Sequence, residues 1–414
     1  MHFALALVLV AFGGAAAPQR HERAELIGPL LAIDPDGTLV ASARVPAEGD
    51  YRFVIRSSPT ERPARRSASI QSSAMERASP EHGLWVRWRV EIEHLARSGL
   101  ELRIEDAHGI TVWRREASSL PRASWSDALA RSCLGSDDSF VRGALLIAQL
   151  PARPPADLWT RVLARSVDCT VVLGDVEAQA SDDLGVAREQ FVDLFRGADL
   201  IRPWGAAQLL HLPVLNGAQT SQALRGASRR AWAESLPLGD APQGAAHRRL
   251  GQLDLFLVDR TGIVEDDALA ATIERLSSSS ATFKVIVREG RWFDSRERAR
   301  DTPEWARFVR RLADVRVEGA VLIGSDPRSA FVVEHRTREQ LGYDLVEVVC
   351  GPSSATDADA DSSADPRRMP GSARPAAFVR VGLRDPRSIA IVLQPPAGGV
   401  PFMVERTSSW LRPR

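Results

Sequence analysis

Four polar side chains stand at or just past the ends of short apolar runs: Asp175 after VVLG, Asn216 after LPVL, Asp259 after LDLFLV and Asp326 after VLIGS. Runs of this length bounded by polar residues read as buried strands, and in α/β sheets ligands collect beyond the carboxyl ends of strands. Oxygen donors delivered to one such rim are what a metal-centred active site is assembled from. Positive charge lies beside them, because Arg260 follows Asp259 directly and Arg328 stands just after Asp326 and Pro327. A guanidinium stays protonated and presents a planar fork to oxyanions. If Arg260 and Arg328 converge, they can hold a phosphate or sulfate without a cation. If they turn onto Asp175 and Asp326, internal ion pairs stand where metals would.

The elements that must position these groups are legible from about residue 120 onward. DLWTRVLARSV precedes DCTVVLGD, AREQFVDLFRGADLI precedes HLPVLNG, DDALAATIERLSSSS precedes ATFKVIVREG, and TPEWARFVRRLADVRV precedes GAVLIGSD. A helical pattern followed by an apolar strand, repeated, is the signature of a layered α/β domain. Trp305 and Phe308, three residues apart on the last of these helices, are expected to pack against the sheet. Before residue 120 the texture differs. TLVASARV, YRFVIRSS, LWVRWRVEIEHL and LELRIEDAHGITVWRRE are separated by PDG, EGD and AHG turn signals. They alternate with period two, Trp88, Val90 and Ile92 falling on one face and Arg87, Arg89 and Glu91 on the other. This predicts an antiparallel all-β domain of Ig-like or fibronectin-like type over residues 24–117. Within it the polar stretch from Ser58 to His82 reads as a disordered insertion. The α/β domain is expected over 124–414, with a second disordered insertion near 352–375, rich in Ser, Asp, Ala and Pro.

Taken in order, these parts resemble the PhoD-like alkaline phosphatases, a branch of the metallophosphoesterase superfamily, from about Arg131 to the C-terminus. RSCLG at 131–135 resembles the family's opening GSC element, and DLWTRVLARSVDCTVVLGDV its helix and LGD strand. GQLDLFLVDR at 251–260 resembles a strand ending in a DDR-like element. VLIGSD, then GYDLVEVVCGPSS, resemble the SGDRH strand and the closing turn, and RPAAFVRVGLRDPRSIAIVLQPPAGG the final hairpins. The resemblance implies a metallophosphoesterase-like layered β-sandwich flanked by helices. It also implies one or two divalent or trivalent ions (calcium, iron, manganese or zinc) that activate water against a phosphoester. On matching positions the metal ligands would be Asp175, Asn216 and Asp326, with Asp175, Asp326 and Arg328 as the catalytic set and Asp259 nearby.

The departures from that pattern carry the functional expectation. Where the family has a WDDHD-like element this chain has Leu215, Asn216, Gly217, Ala218 and Gln219, and where it has SGDRH this chain has Gly324, Ser325, Asp326, Pro327 and Arg328. A bimetal site must offset about four positive charges and fill most coordination positions with O or N donors. Asp175, Asn216 and Asp326 supply three donor side chains and two negative charges. Arg328 adds a fixed positive charge where a cation would sit, and like charges a few ångströms apart cost several kcal/mol. The expected function is therefore that of a catalytically impaired phosphatase homologue with a binding or structural role, taking a phosphate or phosphoester ligand through Arg260 and Arg328. The alternative is an active phosphomonoesterase or phosphodiesterase with a reduced metal site.

Other motifs carry less. The eight histidines show no HxH or HxxxH spacing, with His211, His247 and His335 scattered, which speaks against a separate zinc site. DADADSSAD lacks the glycine and glutamate of a calcium loop, having Ser362 and Arg368 at those places. No GxSxG occurs. Cys133, Cys169 and Cys350 are far apart, permitting one bridge and a free thiol without choosing the pair. The 414 residues are 44% hydrophobic, with 53 basic and 53 acidic side chains, so nucleic acid and anionic membrane surfaces are not expected partners. Lys284 is the sole lysine, and the arginine richness reads as genomic composition. The start, MHFALALVLVAFGGAAAPQ, has the order of a signal peptide over residues 1–17, predicting a secreted or periplasmic protein.

Overall fold

The computed structural model describes residues 26–33, 38–57, 70–92, 100–117, 142–148, 169–173, 183–197, 208–212, 227, 230–231, 234, 245–250, 252–258, 266–288, 290–292, 303–326, 329–351, 367–374, 377–395 and 400–412. In chain order the strands begin with β1 (Ile27–Ile33), β2 (Leu39–Arg44), β3 (Gly49–Ser57), β4 (Ile70–Ser72), β5 (Glu76–Ala78), β6 (Trp85–Val90), β7 (Leu100–Asp106) and β8 (Thr111–Ala117). A three-stranded sheet in the order β1-β2-β6 faces a second sheet ordered β4-β3-β7-β8, with β5 also paired to β3. All these pairings are antiparallel. The period-two alternation is why they face one another. Trp88 and Val90 are buried while Arg89 is exposed, and Trp88 stacks on Phe53 at 6.0 Å and donates from Nε1 to Tyr51 O at 2.9 Å. The segment from Ser58 to His82 is not wholly an insertion: β4, β5 and a 3-10 turn at Pro80–His82 lie in it. Ile70, Ala78 and their neighbours pair because β3 offers them an open edge.

The rest of the chain adds β9 (Arg142–Ala148), β10 (Cys169–Leu173), helix α1 (Leu184–Gly197), β11 (Gln208–Leu212), β12 (Ala245–Leu250) and β13 (Leu253–Val258). It continues with α2 (Asp266–Ser278), β14 (Phe283–Arg288), α3 (Pro303–Asp314), β15 (Ala320–Ser325), β16 (Phe331–His335), α4 (Arg338–Leu341) and β17 (Leu345–Cys350). The strands β18 (Phe378–Asp385), β19 (Ser388–Gln394) and β20 (Phe402–Thr407) close it. Two six-stranded sheets result, ordered β11-β10-β9-β18-β19-β20 and β12-β13-β14-β15-β17-β16. β13, β14, β15 and β17 are mutually parallel, so their carboxyl ends share one edge. β13 and β17 are buried at every position, and β14 and β15 at all but the last, as expected of strands covered on both faces.

The helix over Pro303–Asp314 shows how sequence becomes layer. Proline opens it, where a missing N–H costs nothing. Trp305, Phe308, Val309 and Leu312 recur at helical spacing and are its buried residues. It ends in a Schellman turn, with Val317 N donating to Leu312 O and Arg316 N to Ala313 O, each at 3.0 Å, and Arg316 at φ 51. Gly319 follows at φ +70, where a Cβ would lie 2.0 Å from Thr282 O, so only glycine lets β15 start beside β14.

One apolar core runs between the two six-stranded sheets and takes in Ile27, Leu30 and Trp85 from the N-terminal sheets. Polar contacts reinforce that junction. Arg44 pairs with Glu189 at 2.7 Å, and Arg188 reaches Glu234 at 2.7 Å as well as the carbonyls of Pro80 and Glu81. No described helix is long and apolar enough to cross a membrane.

Candidate functional site

The turn after β15 is the described part of the rim. β15 is apolar until Ser325 and runs out at Asp326, whose N–H donates to Cys350 O at 2.9 Å. Asp326 is only 8% exposed. A carboxylate at that depth needs a partner, since burial without one costs several kcal/mol. The chain supplies it: the Arg291 guanidinium forms an ion pair with Asp326 Oδ2, both side chains being nearly buried.

Arg291 is aimed by a clamp on either side of it. Gly290 N donates to Ser325 Oγ at 2.9 Å, and Ser325 N donates back to Gly290 O at 3.1 Å. Trp292 N donates to Glu347 Oε1 at 2.8 Å, and Trp292 Nε1 to Ile323 O at 2.9 Å. The close approach depends on Gly324, where a Cβ would stand 2.7 Å from Gly290 O and 3.0 Å from Glu347 Oε1. Glu347, 1% exposed, accepts on its other oxygen from His335 Nε2 at 2.8 Å. The ring of Trp305 lies 4.7 Å from that of His335. Two guanidiniums flank one aromatic ring: Arg291 sits 4.8 Å and Arg368 4.3 Å from the centroid of Phe331, a favourable cation–π geometry. Cys350, beside the same turn, is a free buried thiol whose pKa burial pushes far up, so it is no nucleophile.

Of the residues predicted to form the site, Asp326 is at the rim. Asp175, Asn216, Asp259, Arg260 and Arg328 lie outside the described residues, as do DADADSSAD, Cys133 and the start of the chain. The strand before Asp259 ends at Val258, parallel to β14 and β15 and on the same sheet edge. Among the described residues Asp326 has its cation in Arg291, which the sequence alone does not single out. Glu347 and His335 were missed as well. A glutamate inside the apolar strand LVEVVC was the available signal, because a buried carboxylate demands partners. His335 looked isolated only along the sequence. Among the described residues no group of three or more His, Cys, Asp or Glu side chains could hold a metal ion.

No family model and no curated protein matches the sequence. Solved structures do match. A structure of PhoD aligns over 93% of this chain and 90% of its own, with a TM-score of 0.62 and 12% identity. The purple acid phosphatase PPD1 from yellow lupin (Lupinus luteus) seeds aligns over 92% of this chain and 74% of its own, with a TM-score of 0.63 and 10% identity. This chain has the fold of those two phosphatase structures. Within that fold the described rim does not suit a cation, since the one predicted ligand that is described, Asp326, is already neutralised by Arg291. A dication brought to about 4 Å from a guanidinium meets roughly 8 kcal/mol of repulsion at an effective dielectric constant of about 20, before solvent screening reduces it.

Proposed function

We propose that this metallophosphoesterase-fold protein is a catalytically impaired phosphatase homologue whose role is binding or structural. The observation that carries the reading is the Arg291–Asp326 ion pair held by the Ser325 and Glu347 hydrogen bonds. Metal-assisted phosphoester hydrolysis needs carboxylates free to ligate the ion that activates water. Here a carboxylate of the rim is engaged by a cation that cannot dissociate or be deprotonated. Guanidiniums beside a strand-end rim suit an oxyanion better than a metal. Arg260 and Arg328 belong to the same reading as further anion contacts, with Asp175 and Asn216 as the residual donors.

The N-terminal sheets fit the proposal as an accessory module. One sheet takes the first, second and sixth strands of the chain and the other the fourth, third, seventh and eighth, an order that supports the fibronectin-like relative of the Ig sandwich. The apolar run from Phe3 to Phe12 supports export.

The test is elemental analysis of the purified full-length protein together with phosphomonoester and phosphodiester assays in added calcium, iron, manganese and zinc. Substoichiometric metal and no turnover above background are expected. Stoichiometric metal, with turnover abolished by Asp175→Asn or Asp326→Asn, would overturn the proposal.

A further inference from the structure

The opposite end of the second sheet holds a separate constellation. Where β14 and β15 begin and α2 and α3 end, a cavity of about 310 Å³ opens, lined by Ser280, Thr282, Lys284, Arg316, Glu318 and Arg412 among others. Its inner wall is the only lysine in a chain with 53 basic residues. Lys284 is 6% exposed, and its Nζ donates to Ala281 O at 2.9 Å and Glu318 O at 3.1 Å. An ammonium carries three donors, so one is left without an acceptor among the described residues. Burial lowers the lysine's pKa, with the carboxylates of Asp254 and Glu318 opposing the shift.

The charge around the cavity is positive. Arg316 is exposed, held in a left-handed conformation that glycine normally takes, and makes no ion pair among the described residues. Arg412 pairs with Glu318 at 3.3 Å. Lys284, Arg316 and Arg412 thus face a single lining carboxylate. Two helix C-termini meet here, and their carbonyls would favour cations, but several of those oxygens are already engaged. Ser277 Oγ donates to Glu274 O at 2.8 Å and Ser278 Oγ to Arg275 O at 3.1 Å, while the Schellman turn satisfies Leu312 O and Ala313 O. Asp254 lies behind the cavity wall, paired with His247 and Arg249 at 3.2 Å each and hydrogen-bonded by Ser279. Ser280 Oγ accepts from Arg249 at 3.4 Å and keeps its own proton to donate.

We propose that this cavity binds a phosphate group, as free phosphate or as the monoester of a small polyol, between the Lys284 ammonium and the Arg316 guanidinium. The volume leaves room beyond one phosphate, and the serine and threonine hydroxyls suit a hydroxylated remainder. The site lies at the amino ends of the strands whose carboxyl ends form the rim, so it stands or falls independently of the reading given to Asp326.

The test is isothermal titration of the full-length protein with inorganic phosphate and, in parallel, with glycerol phosphate. Labelling with ε-¹⁵N-lysine gives a single side-chain resonance, because Lys284 is the only lysine. Saturable one-to-one binding that shifts this resonance is expected. Arg316→Glu, at an exposed position, should weaken binding at least tenfold while the melting curve stays intact. Tighter binding of glycerol phosphate identifies the monoester, and equal affinity identifies phosphate itself. The proposal is overturned if neither probe saturates, if the lysine resonance does not move at saturation and binding is thereby assigned elsewhere, or if Arg316→Glu binds like wild type.

Discussion

Replacing Arg291 by methionine removes the guanidinium and keeps most of the side chain's length. The partner left behind, Asp326, is 8% exposed, and in the intact pair the two side chains are 12% and 11% exposed. Breaking a buried ion pair from one side costs about 3–5 kcal/mol, because an uncompensated charge stays in the interior. Residual solvent contact lowers that figure, and the lost contact with Phe331, 4.8 Å from the guanidinium carbon, adds about 0.5–1 kcal/mol back. A loss of roughly 3 kcal/mol is therefore expected, read as a lower urea midpoint at unchanged slope. Asp326→Asn in the same background should recover about 2 kcal/mol, since the buried negative charge is then gone. The variant also separates the two accounts of the rim. Removing the Arg291 charge lowers the repulsion that an ion at Asp326 would meet, so millimolar Mn²⁺ should raise the midpoint of Arg291→Met more than that of wild type, as expected when a ligand binds one folded form more tightly. The reasoning is refuted if Arg291→Met loses less than about 0.5 kcal/mol, the range of an ordinary surface pair, or if wild type gains as much from Mn²⁺ as the variant does.

Two further outcomes follow from particular contacts. Gly319→Ala places a methyl 2.0 Å from the Thr282 carbonyl at a φ of +70, so a loss of at least about 2–3 kcal/mol in urea unfolding, or insoluble protein, is expected; near-wild-type stability would contradict the close start of β14 and β15. Asp254 is buried, which pushes its pKa up. The hydrogen bonds from His247 and Ser279 and the charges of His247 and Arg249 outweigh that and hold it below the usual carboxylate range. Its stabilising contribution is present above the unfolded value of about 3.9 and is lost as pH falls through the lower folded value. Urea midpoints from pH 7 down to pH 3 should therefore fall less steeply for Asp254→Asn than for wild type, and parallel profiles would remove this residue from the acid response.

The strands and helices around the rim were legible because their signals are local. FKVIVR and AVLIGS are uninterrupted apolar runs, and Trp305, Phe308 and Leu312 fall on one helical stripe, so period and length alone identify them. The alternation through Trp88 and Val90 likewise marks a sheet with one wet face. Partners across the sheet were not legible. Arg291 reaches Asp326 across two strand ends, and His335 meets Glu347 because β16 turns back antiparallel to β17. Neither pairing leaves a spacing that a linear reading can find. What the sequence does show is the unmet need: Asp326 closing an apolar strand and Glu347 inside another each require a counter-charge or donor, whose identity only the topology decides.

That need bears on how the turn after β15 is held in shape. A nearly buried carboxylate at the end of a central strand must be matched by a cation, and the cation can come from solution or from the chain. A solution ion can leave, exchange and polarise water, which is what turnover uses. A guanidinium tethered through Gly290 and Trp292 can do none of these, yet it satisfies the carboxylate permanently and pins the loop after β14 to the end of β15. The Glu347–His335 pair does the same one strand away, with Glu347 also holding the backbone of Trp292. Both buried carboxylates are thus neutralised or donated to by residues whose positions the sheet itself dictates. The described part of the rim is in this way held by contacts of the fold itself, so under the proposed function chelator treatment should leave the wild-type urea midpoint unchanged.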